Sequence, residues 1–164
     1  MRIACLIMAV GITAAASLSA QNAAYPPGVS PAIHKSIQRG LTWLSRNMAN
    51  DGSWRNSGGY GSYPAAMTGL AGMAFIASGS TPTRGRYWQE VRKSVGFLMK
   101  NADANTGVIS IPAEEGRSMY GHGFATLYLA SVYGMEEDLR KQAKLKRVLD
   151  KAVGLIASAQ SSAG

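Results

Sequence analysis

Two apolar stretches that repeat one another limit what this chain can become. Residues 119–134 read Met-Tyr-Gly-His-Gly-Phe-Ala-Thr-Leu-Tyr-Leu-Ala-Ser-Val-Tyr-Gly, apolar on nearly every side. The only side chain among them that titrates near neutral pH is His122. An echo lies earlier in the chain: Thr68-Gly69-Leu70-Ala71 aligns with His122-Gly123-Phe124-Ala125, and Met73, Phe75 and Ala77 fall opposite Leu127, Leu129 and Ser131. A helix that is apolar all round must be covered on all sides. Two of them at one offset predict a repeat array with an inner layer.

The stretches between them have one-sided helical periodicity. Ser30-Pro31 predicts a helix start, with serine as N-cap and proline in the first turn. Ile33, Ile37, Leu41, Leu44 and Met48 follow at steps of 4, 4, 3 and 4, one apolar stripe, with Lys35, Arg39 and Arg46 opposite. A Gly-, Ser- and Asn-rich loop leads to Pro64, which opens the first apolar helix over 64–78, and Gly79 fits its C-terminal cap. A second amphipathic helix is expected over about 87–101, with Val91, Val95, Leu98 and Phe97 inward. After a loop over 103–118 come the second apolar helix and a third amphipathic helix over about 137–158. The order is amphipathic, apolar, amphipathic, apolar, amphipathic: two helical hairpins and the first half of a third. No stretch alternates at period two for long enough to make a sheet, so the fold class is all-α.

Residues 1–23 have the pattern of a secretory signal. Arg2 is a short positive region, 3–16 an apolar core, and small residues follow. That core is short for a membrane span. Residues 24–32 read as a linker and 33–164 as the domain. The expected location is secreted or periplasmic, with no stable membrane span once the signal is removed. The single cysteine, Cys5, lies in the leader, so the mature chain offers no disulfide, thiolate nucleophile or zinc thiolate. The net charge is +8, spread thinly except for Arg140, Lys141, Lys144, Lys146, Arg147 and Lys151. These stand at helical spacing and read as a solvated outer face. No interleaving of aromatic and basic residues points to nucleic acid.

The amphipathic helices share an ending. The first reads Arg39-Gly40-Leu41-Thr42-Trp43-Leu44, then Met48, then Gly52-Ser53-Trp54. The second reads Lys93-Ser94-Val95-Gly96-Phe97-Leu98 and reaches Gly107-Val108-Ile109. The third reads Lys151-Ala152-Val153-Gly154-Leu155-Ile156, then Gln160 and Gly164. This resembles the QW repeat of the squalene–hopene cyclase and protein prenyltransferase superfamily: basic, small, aromatic, aliphatic, Gln, Gly, Trp. Met48 stands where the pattern has Gln. The second copy has Ala102 for Gln and lacks the Trp, and the third has Leu155 for the aromatic. The resemblance covers about residues 33–164 and implies an α/α toroid, paired helices in a ring with inner helices around a central cavity. Two and a half hairpins are less than half of such a ring, and the remainder is expected beyond Gly164. In the motif, Trp43 and Leu44 are expected to pack the outer helix on the inner one. Gly52 should turn the chain and Trp54 should cover the helix end.

The catalytic patterns of that superfamily are not in this segment. No Asp-x-Asp-Asp run occurs, and the zinc set of Asp, Cys and His has no cysteine to draw on. No cofactor or metal is expected. His122 and Tyr120, near the start of an inner helix, are the candidate catalytic pair, since a helix N-terminus favours neutral imidazole. Phe124 and Tyr128, in step with Tyr120 at intervals of four, are candidates to line an apolar ligand pocket. Core packing is the plain alternative for them, as a backbone hydrogen bond is for His122. His34 reads as surface, Asp51 and Asp103 as turn formers, and Glu114-Glu115 as solvated loop. Gly58-Gly59-Tyr60-Gly61 has neither the strand nor the Lys-Ser/Thr of a phosphate loop. The expected function is therefore an exported toroid that binds or transforms an isoprenoid-like, apolar small molecule. The alternatives are a non-catalytic interaction toroid and an exported glycan-active toroid enzyme.

Overall fold

The computed structural model describes residues 28–55, 62–114 and 118–162. The leader and the Gly58–Gly61 run lie outside them. The described residues are all-helical: α1 Pro31–Arg46, α2 Pro64–Ala77, α3 Trp88–Lys100, a 3₁₀ turn Pro112–Glu114, α4 Ser118–Tyr133 and α5 Leu139–Ala159. The only sheet-like pairing among them is one antiparallel bridge, Ala102 to Ile109. No described helix is long and apolar enough to cross a membrane.

The helix starts follow local chemistry. Ser30 Oγ accepts from the Ile33 N–H at 3.3 Å, with Pro31 in the first turn. Asp138 caps α5, accepting from the Arg140 and Lys141 N–H groups at 2.9 and 3.2 Å, so that helix begins at Leu139 rather than at Glu137, where its periodicity places the start. The ends of α1 and α3 are built alike. Asn47 and Asn101, at equivalent places in the two copies, each turn a side-chain amide onto a carbonyl one helical turn back, Trp43 and Phe97, at 2.8 Å. Each loop then passes through a glycine in the left-handed region, Gly52 at φ +89° and Gly107 at φ +80°. A Cβ there would stand 2.6 Å from the Lys93 carbonyl oxygen in one case and 2.5 Å from that of Lys151 in the other. The shared basic position of the motif thus receives the glycine of the preceding loop. Trp54 closes the end of α1, its indole N–H donating to the Leu44 carbonyl at 2.8 Å.

The centre of the molecule is the pair α2 and α4. They pack side by side, α3 rests on α2, α5 rests on α4, and α1 touches α2 only slightly. Small residues let the two inner backbones meet. A Cβ on Gly69 would lie 2.8 Å from the Phe124 carbonyl oxygen, and one on Gly72 would lie 2.3 Å from the Tyr128 ring. Around this contact Trp54, Phe75 and Tyr87 meet in sequence as tilted rings, with centroids 5.7 and 4.8 Å apart. Val91, Val95, Phe97 and Leu98 are all buried, as their spacing predicts.

Three expectations about covering fail. Trp43 does not fasten α1 to an inner helix: it is 61% exposed, whereas its counterpart Phe97 is 7% exposed. Ile33 and Ile37 are exposed too, because α1 has no inner helix lying along its stripe as α3 has α2. The apolar helices are not covered on all sides either. Met67 and Leu70 on α2, and Met119, Tyr120, Phe124 and Leu127 on α4, face outward from the helix pair.

Candidate functional site

His122 is fully buried in the first turns of α4. Its Nδ1 accepts from the Ile109 N–H at 3.0 Å, which leaves the proton on Nε2, 3.2 Å from the Ala152 carbonyl. Burial pushes its pKa below the ordinary imidazole value, and the Ala152 carbonyl only partly opposes this. The ring is neutral at pH 7 with both nitrogens engaged, and it ties α4 to the preceding loop and to α5. Thr68, its counterpart on α2, makes the first of these ties: its Oγ1 accepts from the Trp54 N–H at 3.1 Å. Trp54 and Ile109 each come two places after a left-handed glycine. The repeat thus demands an acceptor at this position, and histidine adds a donor that threonine cannot extend so far.

The structure separates the other predicted site residues. Tyr120 is 72% exposed, on the opposite side of α4 from the buried ring of His122. Phe124 is 39% exposed. Tyr128 is wholly buried between the helices, its hydroxyl 2.8 Å from Ser94 Oγ and 3.3 Å from the Val91 carbonyl. Steps of four on a helix drift by about 40° each, so two such steps carry the side chain from the open face into the core. Burial pushes the Tyr128 hydroxyl pKa upward, so it remains a neutral donor and acceptor. The open face of α4 therefore carries Tyr120, Phe124 and Leu127, while Leu70 on α2 is exposed in a groove that it shares with Trp43, Arg55 and Met67.

Glu114 overturns its reading as solvated loop. It is almost wholly buried, and its Oε1 accepts from the Ala65 N–H at 2.6 Å, capping α2 from 49 residues away. Its Oε2 has no hydrogen-bond partner among the described residues and lies in the space left by Gly121. Burial raises its pKa, although the N–H groups of Ala65, Ala66 and Ile111 act against this. An acid with a raised folded pKa contributes its stability fully below the unfolded value, and loses it as pH rises through the folded one. Glu114→Gln keeps the acceptor for Ala65 and cannot ionise. Unfolding in urea from pH 4 to 8 is expected to show the wild type losing stability relative to the variant as pH rises. Parallel curves refute the assignment.

The loop aspartates are turn formers, as expected. Asp51 Oδ1 accepts from the Ser53 N–H at 3.1 Å and the carboxylate pairs with Arg55. Burial works to raise its pKa, but the bonds from Ser53 and Arg55 hold it below the usual value. Asp103 accepts from the N–H groups of Thr106 and Asn105, which depress its pKa in that order. His34 has intermediate exposure rather than lying free on the surface. Compared with protein-family models, with curated proteins and with solved structures, the chain gives no match in any of the three.

Proposed function

We propose that this chain is a segment of an exported α/α toroid of the cyclase and prenyltransferase kind, and that it serves as an apolar-ligand-binding scaffold. The observation that carries this reading is the set of exposed apolar side chains on the two inner helices, Leu70 on α2 and Tyr120, Phe124 and Leu127 on α4. In a ring, the open face of α4 lines the central cavity. A scattered exposed leucine is ordinary, but aromatic and aliphatic residues gathered on the most closely packed helices of a fold are a binding surface.

A second observation supports the ring. Residues of α3 that are covered in the middle of the array have bare counterparts one repeat later on α5: Val95 is 8% exposed and Val153 51%, and Leu98 and Ile156 differ likewise. Gly69 meets α4 at backbone distance, while a Cβ on its counterpart Gly123 would meet nothing among the described residues. What fits this flank is one more inner helix of the same repeat, set against α4 as α4 is set against α2. His122 acts here as a structural tie that orients α4, and Tyr120 as part of its open face.

Farnesol, titrated against the protein while intrinsic tryptophan fluorescence is followed, tests the reading. Phe124→Glu places a charge on the open face of α4 at an exposed position. It is expected to weaken farnesol binding at least about tenfold, ~1.4 kcal/mol, while shifting unfolding stability by less than about 0.5 kcal/mol. Farnesol that fails to bind, or binds the variant equally well, sinks the proposal.

A further inference from the structure

The structural repeat supplies an internal control. A feature present in both copies is something the scaffold needs, and a feature present in one copy is free to serve something else. Lys93 and Lys151 belong to the first kind, each receiving a loop glycine. Arg147 belongs to the second, and Lys144 differs from its basic counterpart in having no ring to lie over among the described residues. At the offset that places Lys93 on Lys151, their counterparts are Arg86, which lies over the Tyr87 ring with 5.5 Å to its centroid, and Gln89.

These two cations stand over a trough. The outer helices α3 and α5 are not closely packed on each other. Between them lie two cavities, of about 430 and 270 Å³, that share Met99 and Lys144 on their walls. Arg147, Val148 and Lys151 continue the wall of the larger, and Arg92, Val95 and Leu145 that of the smaller. The two acids on the rim are already engaged: Asp103 in its turn and Glu136 as acceptor of the Asp138 N–H at 2.9 Å. Lys141 pairs with Asp138, and Lys151 donates to the Ala104 carbonyl. The Lys144 and Arg147 side chains have neither an ion pair nor a hydrogen bond among the described residues.

We propose that the trough between α3 and α5 binds an anionic amphiphile, a phosphate or similar headgroup on an alkyl chain. Lys144 and Arg147 hold the headgroup, the guanidinium offering two parallel donors to its oxygens. Met99, Val148 and the edge of Leu145 take the chain, in a space of the size that small amphiphiles fill. Neither part suffices: surface cations alone hold a free phosphate weakly because water screens them, and the apolar strip alone is narrow. The site lies on the outer helices, so it stands or falls independently of the open face around Phe124.

Isothermal titration with decyl phosphate below its micelle concentration tests this. One-to-one binding is expected, with decanol and inorganic phosphate each at least tenfold weaker. Lys144→Ala combined with Arg147→Ala is expected to lower decyl phosphate affinity at least tenfold with unchanged thermal unfolding, since both side chains are exposed. Lys146→Ala, which removes a cation already paired with Asp150 at 2.8 Å, is expected to leave it unchanged. Phe124→Glu is expected to leave it unchanged as well. Sedimentation with phosphatidylglycerol vesicles that requires Lys144 and Arg147 places the amphiphile in a membrane, and decyl phosphate binding without such sedimentation makes it a free one. No binding, binding that survives the double variant, or phosphate alone binding as well as decyl phosphate overturns the site.

Discussion

Gly69→Ala is expected to destabilise the protein by about 2 kcal/mol or more, while Gly123→Ala, the same change at the equivalent place one repeat later, is expected to be neutral or to stabilise by up to about 1 kcal/mol. The two residues sit on helices of like composition and their local sequences correspond. Alanine favours a helix over glycine by about 1 kcal/mol when nothing is in the way. At Gly123 nothing is: among the described residues, no atom beyond its own turns of helix lies within 4 Å of an added Cβ. At Gly69 the added carbon would be 2.8 Å from the Phe124 carbonyl oxygen and 3.1 Å from the Ala125 nitrogen, so α2 and α4 must move apart. Backbone cannot rotate away as a side chain can, and a separation loosens the burial of Phe75 and Tyr128 as well. Chemical denaturation of both variants measures the difference. Equal effects at the two positions refute the asymmetry. A loss at Gly123 as large as that at Gly69 means that the flank of α4 is already covered.

His122→Ala is expected to cost about 3 kcal/mol. It removes a fully buried ring and strands the buried Ile109 N–H at about 1 kcal/mol or more, while the Ala152 carbonyl, inside α5, loses only a second donor. His122→Thr, which installs the residue found at the equivalent position 68, should recover part of the loss through the bond to Ile109 but not the tie to Ala152. The pH dependence identifies the histidine. Its pKa is lowered on folding from the ordinary 6.5, so the unfolded chain binds the proton more readily. Stability from His122 is present above the unfolded value and is lost as pH falls through the window below it. Both variants are expected to lack that acid-side slope. If His122→Thr keeps the wild-type slope between pH 7 and 5, the neutral buried imidazole is not its source.

The helices were legible because their signals are local. The Ser30 cap is one helical turn from its partner, and the inward set of Val91, Val95 and Leu98 follows from helical period alone. The duplication was legible too, from the shared endings of the amphipathic helices. The paired Asn47 and Asn101 caps carry a signal of their own, since aligning the two copies sets one asparagine on the other. The candidate site was less legible. Tyr120, Phe124 and Tyr128 form a tidy series in sequence, yet only the first two look outward, since the helix turns the third into the core. Glu114 resembled any loop acid because the helix it caps starts far earlier in the chain, at Pro64.

The sequence by itself determined the number, order and approximate ends of the helices and their arrangement as copies of one unit. Hydrogen bonds within a helix join neighbours one turn apart, and capping reaches no further, so a short window contains the whole cause. Only the tertiary structure decided which apolar faces are covered, which leaves Trp43 and Phe124 in the open and Phe97 and Tyr128 inside. It also decided that His122 closes a contact between Ile109, in the loop before it, and Ala152, on the helix after it. Hydrophobicity is a property of a residue, whereas burial is a property of its neighbours, and those neighbours are brought together by a packing geometry that no local pattern encodes.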